Sequence, residues 1–157
     1  MGTNRGDREY HLVQAVRSLS QLLEDLRVSP VYETDPVEVT DQPKFLNAVV
    51  SGLTRVCPDV LLARIQEIEQ QEGRDRSKER RKGERPLDID ILLYGDRIIQ
   101  TESLVVPHKS MRGRLFVLVP LLDLDPEICE PGTGRPYSFY RENLAAKGQG
   151  IYTFTMK

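Results

Sequence analysis

Twelve residues, RPLDIDILLYGD from Arg85 to Asp96, restrict this chain more than any other stretch. Leu87, Ile89, Ile91 and Leu93 alternate with Asp88 and Asp90, the period of a strand whose successive side chains face opposite ways. A strand over Leu87 to Tyr94 puts the apolar side chains against helices and both carboxylates on the other face. Two ionised carboxylates at about 7 Å repel each other, and burial raises their pKa unless a cation joins them. Hard divalent cations take oxygen ligands, and Mg²⁺ is commonly held by one or two carboxylates together with substrate phosphates. The competing reading of an isolated Asp-x-Asp is an edge strand that carries charge against aggregation.

The segment that feeds this strand narrows the choice. RDRSKERRKGERP, Arg74 to Pro86, holds seven Lys or Arg against Asp75, Glu79 and Glu84, a local charge of +4. The whole chain carries −2, so the remainder sums to −6. That balance argues against a general nucleic-acid binder and for a localised anion such as a polyphosphate. A solvated loop is the plainer account of the same charges. With almost no apolar content, the loop is predicted to be disordered without ligand and to order over a triphosphate. Guanidinium groups beside paired carboxylates suit a nucleotide-phosphate site. No phosphate-cradling glycine loop of the P-loop or protein-kinase kind occurs. The two histidines give no support to a nucleophilic triad: His11 reads as a surface residue, and His108, near Lys109, Arg112 and Arg114, either donates to a phosphate or caps the next turn.

The remaining elements form one domain over residues 1–157. Asp7 caps a helix whose apolar positions run from Leu12 to Leu26. Val28 to Tyr32 reads as a short strand, ETDPVEVTDQPK as a loop, and Phe45 to Leu53 as a second strand. Pro58 opens a helix that Gly73 stops. Gly95-Asp96 turns the aspartate strand into a hairpin with Ile98-Ile99. Val105 to His108 is extended, RLFVLVPLLDL is a buried helix interrupted near Pro120, a further helix runs from Pro136 to Ala146, and IYTFTMK is a strand. This order is most of a ferredoxin-like α+β sandwich, an antiparallel sheet with helices packed on it. Its expected opening strand is missing before Gly2: either residues upstream of Met1 are absent or IYTFTMK takes that place. Cys57 and Cys129 lack metal-ligand spacing and read as reduced packing residues. A polar N-terminus and the lack of an apolar run of about 20 residues predict a cytoplasmic chain without a membrane contact.

RKGERPLDIDIL, Arg81 to Leu92, resembles the signature of the 6-hydroxymethyl-7,8-dihydropterin pyrophosphokinase family of folate synthesis. Other segments resemble that family in the same order: Gly2-Thr3-Asn4, Phe45-Leu46-Asn47, Gln66 and Glu69 with Gly73-Arg74, and Val106-Pro107-His108 with Arg114 and Phe116. The resemblance covers residues 2 to 130 and implies transfer of the terminal diphosphate of ATP to the pterin hydroxymethyl group, releasing AMP. It implies two Mg²⁺ ions on Asp88 and Asp90, with Arg74, Arg85, His108 and Arg114 around the triphosphate. Gln66, Glu69, Ile91, Leu104 and Arg112 are the implied nucleotide contacts. Thr34, Val37, Phe45, Asn47 and Phe116 are the implied pterin contacts. Residue types agree for the pterin: two aromatic faces and an amide suit a flat heterocycle with a donor–acceptor edge.

The chain departs from the family pattern at Lys82, where many members carry Trp, and at Phe45 in place of the more familiar Tyr. A closing aromatic lid at Lys82 is not expected. ATP and pterin are the expected partners of a monomer, with no nucleic acid. Two rivals are a ferredoxin-like module that binds RNA through the basic loop, disfavoured by the acidic balance, and a degenerate inactive homologue.

Overall fold

In the computed structural model, which describes residues 1–36, 39–78, 83–145 and 147–157, the chain is an α+β protein of helices and antiparallel sheets. Asp7 accepts a hydrogen bond from Tyr10 N–H at 3.0 Å and starts α1 (Arg8–Leu19). The helix stops at Leu19 rather than Leu26. Leu22, Leu23 and Leu26 prolong the apolar pattern only because they pack on the same core as the chain reverses. α2 (Pro58–Gln71) opens on Pro58 and ends at Gly73, whose φ of 87° is left-handed and suits a residue without a Cβ.

The two strands expected at 28–32 and 45–53 are each broken. β2 (Glu24–Val28) and β3 (Val31–Thr34) flank Ser29-Pro30, and β4 (Phe45–Asn47) and β5 (Val50–Leu53) flank Ala48-Val49. At the break Ser29 N–H donates to Val49 O and Val49 N–H to Ser29 Oγ, both at 2.9 Å. One bent antiparallel hairpin therefore serves two sheets: β2 pairs with β5, and β3 with β4.

The larger sheet has the order β1-β4-β3-β8, where β1 is Gly2–Thr3 and β8 is Ile151–Phe154. β8 runs along β3 at the outer edge, so IYTFTMK does not fill the place of an opening strand. That place is held by Gly2, which pairs with Asn47 on one side and Asp88 on the other. Gly2 and Asp88 exchange N–H···O bonds of 2.8 Å each way. Beyond this bridge Leu87 to Tyr94 is not a laddered strand, but burial still alternates: Leu87, Ile89 and Ile91 are buried, Asp88 is partly buried and Asp90 is exposed. Ile98-Ile99 does not return along this segment. A turn closed by Arg97 N–H to Tyr94 O leads to β6 (Ile99–Gln100), which pairs with β7 (Val105–Val106).

Two cores result. α1 and α2 bury Ala15, Leu19, Leu61, Ile65 and Ile68 against Leu87, Ile89 and Ile91. α3 (Leu115–Leu124) and α4 (Tyr137–Ala145) pack around Met111, Leu118 and Tyr137. Pro120 lies inside α3 without interrupting it: it forgoes one intrahelical bond, and the burial of an almost wholly apolar helix offsets that loss. Cys57 and Cys129 are free and exposed, so neither is a packing residue. Among the described residues no helix is long and apolar enough to cross a membrane.

Candidate active site

The alternation that buries Leu87, Ile89 and Ile91 sends Asp88, Asp90 and Leu92 into a cavity of about 400 Å³. Arg74, Arg85, His108 and Arg114 line it, as do Thr34, Phe45, Asn47 and Phe116. Asp88, Gly2 and Asn47 stand side by side in one cross-strand row. Two strand spacings put the Asp88 and Asn47 backbones about 10 Å apart. Gly2 between them must stay small, because a Cβ there would lie 2.8 Å from Asn47 Oδ1.

Asp88 is held by two guanidinium groups. Arg74 Nη1 meets Oδ1 at 2.5 Å and Arg85 Nη1 meets Oδ2 at 2.8 Å. Burial would raise the Asp88 pKa, but Arg85 and then Arg74 outweigh it and hold the carboxyl below its ordinary value. Arg74 is fixed from behind by Glu69, whose Oε1 lies 2.7 Å from Arg74 Nη1 and accepts Ile89 N–H at 2.8 Å. Glu69 Oε2 also takes Arg76 at 2.7 Å. Arg85 is fixed through its backbone: Asn4 Oδ1 accepts Arg85 N–H at 2.9 Å, while Asn4 Nδ2 donates to Gln42 Oε1 and Pro43 O.

Asp90 is more open, and His108 Nε2 lies 3.6 Å from its Oδ2. His108 Nδ1 accepts Ser110 N–H at 3.2 Å, which leaves the ring proton on Nε2, facing Asp90. Burial, with Arg114 and Lys109, lowers the His108 pKa against the opposing pull of Asp90. The imidazole is thus neutral at pH 7 and a donor toward Asp90. Its Nδ1 caps the turn, one of the two roles its sequence position allowed, and its Nε2 faces the cavity. His11 is no free surface residue, because its Nδ1 lies 2.7 Å from Glu72 Oε2 and ties α1 to the end of α2.

Arg114 stands 5.6 Å from the Phe116 ring centroid, and Asn47 Nδ2 donates to Thr34 Oγ1 at 2.8 Å. Five residues with expected roles do not line the cavity: Glu69, which holds Arg74 from behind, and four others. Ile91 and Leu104 are in the first core, Gln66 is exposed on α2, and Arg112 is held by Glu130 at 2.6 Å and lies over Tyr140. Val37 lies outside the described residues, as do positions 79–82 of the basic loop with Lys82. Sequence reasoning gave no role to Lys109, Asp35 or Gln42, which line the cavity. Lys109 had a signal, a cation directly after His108.

Among the described residues no group of three or more His, Cys, Asp or Glu could hold a metal ion. Among the described residues, Asp88 and Asp90 are the neighbouring pair of carboxylates that could hold an ion in this cavity. They fit an ion that draws its other ligands from phosphate and water, as Mg²⁺ does, and not a zinc cage. Both oxygens of Asp88 already face guanidinium groups, so a cation on Asp88 requires Arg74 or Arg85 to pass to another anion.

Paired carboxylates ringed by cations and aromatic rings are of the kind that suits phosphate, and the chain's similarity to known proteins gives its family. The family model for 7,8-dihydro-6-hydroxymethylpterin-pyrophosphokinase matches residues 1–126, and the chain belongs to that family. It is 38% identical over 148 residues to the 2-amino-4-hydroxy-6-hydroxymethyldihydropteridine pyrophosphokinase of Aquifex aeolicus, covering 94% of this chain and 91% of that protein. The Bacillus subtilis protein of the same name is 45% identical over 135 residues, 85% of this chain and 80% of its own length. The folic acid synthesis protein fol1 of Schizosaccharomyces pombe is 40% identical over 155 residues, 97% of this chain, yet the match spans only 21% of that longer protein. The Arabidopsis thaliana folate synthesis bifunctional protein is likewise matched over 26% of its length.

Proposed function

We propose that this chain transfers the terminal diphosphate of ATP to the hydroxymethyl group of 6-hydroxymethyl-7,8-dihydropterin and releases AMP. One observation carries the reading: both carboxylates of the Asp-x-Asp pair enter a single cavity that, among the described residues, also holds six basic side chains, two phenylalanines and two amides. The helices packed behind the aspartate segment, beside the antiparallel order β1-β4-β3, support a ferredoxin-like sandwich.

The substrate hydroxyl oxygen forms a bond to the β-phosphorus and gives up its proton to water, the bond from that phosphorus to the α–β bridging oxygen breaks, and AMP leaves with the electron pair. Such a transfer depends on in-line positioning and charge neutralisation more than on covalent help from the protein. Asp88 and Asp90 would hold Mg²⁺, two ions by the family resemblance, and the metal would neutralise phosphate charge. Arg74, Arg85 and Arg114 donate to phosphate oxygens, and neutral His108 adds its Nε2–H without bringing another repelling cation. Phe45 and Phe116 take the pterin faces, and Asn47 with Thr34 and Val37 its edge. Toward the nucleotide, Glu69 acts beneath Arg74; Gln66, Ile91, Leu104 and Arg112, the further contacts that the resemblance implies, lie outside the cavity and take no part in this reading.

Incubation with ATP, magnesium and the hydroxymethyl-dihydropterin is expected to yield AMP and not ADP. Asp88→Asn and Asp90→Asn are each expected to lower that rate at least about a hundredfold. Pterin-dependent AMP formation that survives in both variants refutes the metal assignment, and ADP as the nucleotide product refutes the reaction.

A further inference from the structure

Arg114 separates the 3₁₀ turn Met111–Gly113 from α3, and it begins that helix with no capping bond from its own side chain. The first N–H groups of a helix need partners from elsewhere. Gln149, 35 residues along the sequence from Arg114 and outside the stretch that the family model matches, supplies one. Its Oε1 accepts Leu115 N–H at 2.9 Å and its Nε2 donates to Gly113 O at 3.0 Å. One side-chain amide thus bonds the residues before and after Arg114, as the N–H and C=O of a single residue in a neighbouring parallel strand would. Arg114 is held extended between them, at φ −127° and ψ 106°.

The next residue grips the opposite lip of the cavity. Gly150 O accepts Asp35 N–H at 3.3 Å, and Ile151 pairs with Thr34 in the register of β8 with β3. Asp35 Oδ2 stands 2.1 Å from where a Cβ of residue 150 would be, so a larger residue there would have to turn the Asp35 carboxylate aside. Behind Phe116 lies a second hollow of about 240 Å³, and Thr34, Asp35 and Phe116 line both it and the main cavity. A wall with space on both sides is located by whatever fixes its backbone.

We propose that Gln149 is a positioning residue: its side-chain amide, braced on β3 through Gly150, sets Arg114 and Phe116 for phosphate and pterin. The inference rests on the reading of the site as a pyrophosphokinase cavity. Gln149 touches neither substrate; it acts through the backbone of residues 113 to 115.

The test is a kinetic cycle with Gln149→Met, which keeps side-chain length without the two bonds, Arg114→Ala and the double variant. Displacing a positioned group by about 1 Å costs up to about a hundredfold in rate, so Gln149→Met is expected to lower kcat/KM for the pterin about tenfold or more. Because the two residues act as a unit, the double variant is expected to lose much less than the product of the single losses. Wild-type kinetics in Gln149→Met, with or without a lower Tm, overturn the proposal, and so do losses that multiply. Gln149→Glu keeps the acceptor for Leu115 N–H and serves the same cycle if the methionine variant fails to fold. A wild-type chain that forms no AMP overturns the functional reading and this inference with it, whereas an active wild type beside an unimpaired Gln149→Met overturns the inference alone.

Discussion

Two buried glutamates do similar chemistry in different places. Glu69 is 1% exposed and Glu130 is 3% exposed, and each binds an arginine at 2.6–2.7 Å. Glu69 sits beneath the cavity, where its arginine goes on to meet Asp88. Glu130 sits beside α4, where its arginine ends over the Tyr140 ring while Thr133 and Tyr140 donate to the same carboxylate. The first is a relay, because a guanidinium shared between two carboxylates is set by one and presented to the other. The second is a clasp, with its hydrogen-bonding capacity spent inside the fold. A buried ion pair is therefore not by itself a sign of a site; what matters is whether one partner also reaches open space.

The largest expected effect tests the relay. Glu69→Ala leaves Arg74 without its fixing partner and orphans Ile89 N–H. Removing one member of a buried pair costs on the order of 3–5 kcal/mol, so a clear fall in the urea midpoint is expected. AMP formation measured below that midpoint is expected to drop by about a hundredfold. A stability loss with full activity would make Glu69 a second clasp.

Glu130→Ala tests the other half. Hydrogen bonds to a charged group are each worth about 1.5–3 kcal/mol, and the loss of stability is expected at the lower end because Arg112 is half-exposed and regains water. The KM for ATP is expected to change less than about threefold. A tenfold change would bring Arg112 into the nucleotide site as a direct contact. The clasp also has a pH signature. Burial would raise the Glu130 pKa, but bonds from Arg112, Thr133 and Tyr140 hold it below its ordinary value. A depressed carboxylate stabilises the fold above its unfolded pKa, about 4.3, and that contribution fades as pH falls through the folded value. Acid titration of Glu130→Gln is expected to show a flatter loss of stability below about pH 4 than the wild type.

The contrast also separates what the chain shows in one dimension from what it hides. The alternation through Leu87, Asp88, Ile89 and Asp90 is local, so one strand period gave both the core face and the cavity face. Glu69 and Arg74 are five residues apart at a helix end, close enough to be read together. Asn4 bonding Arg85, and Gln149 bonding Gly113 and Leu115, join residues 81, 36 and 34 positions apart, and no periodicity reports such a pair. The broken strands were hidden for another reason. Ser29 and Val49 bond each other at the bend, and nothing in either residue alone marks a break.

The smallest expected effect lies on Asp90, the open member of the pair. His108 titrates below 6.5 because burial, Arg114 and Lys109 disfavour the imidazolium, and Asp90 is the largest influence that opposes them. A depressed imidazole pKa means that the folded state takes up its proton later than the unfolded chain, so this group's stabilisation is complete above 6.5 and declines as pH falls. Asp90→Asn removes the carboxylate 3.6 Å from Nε2 and is expected to lower the His108 pKa further, by a fraction of a unit, in an NMR titration of the ring. Glu130→Gln, on the clasp side, is expected to leave it where it was. If the His108 pKa does not fall in Asp90→Asn, Asp90 does not face the imidazole in solution, unlike Asp88, whose two oxygens each meet a guanidinium group.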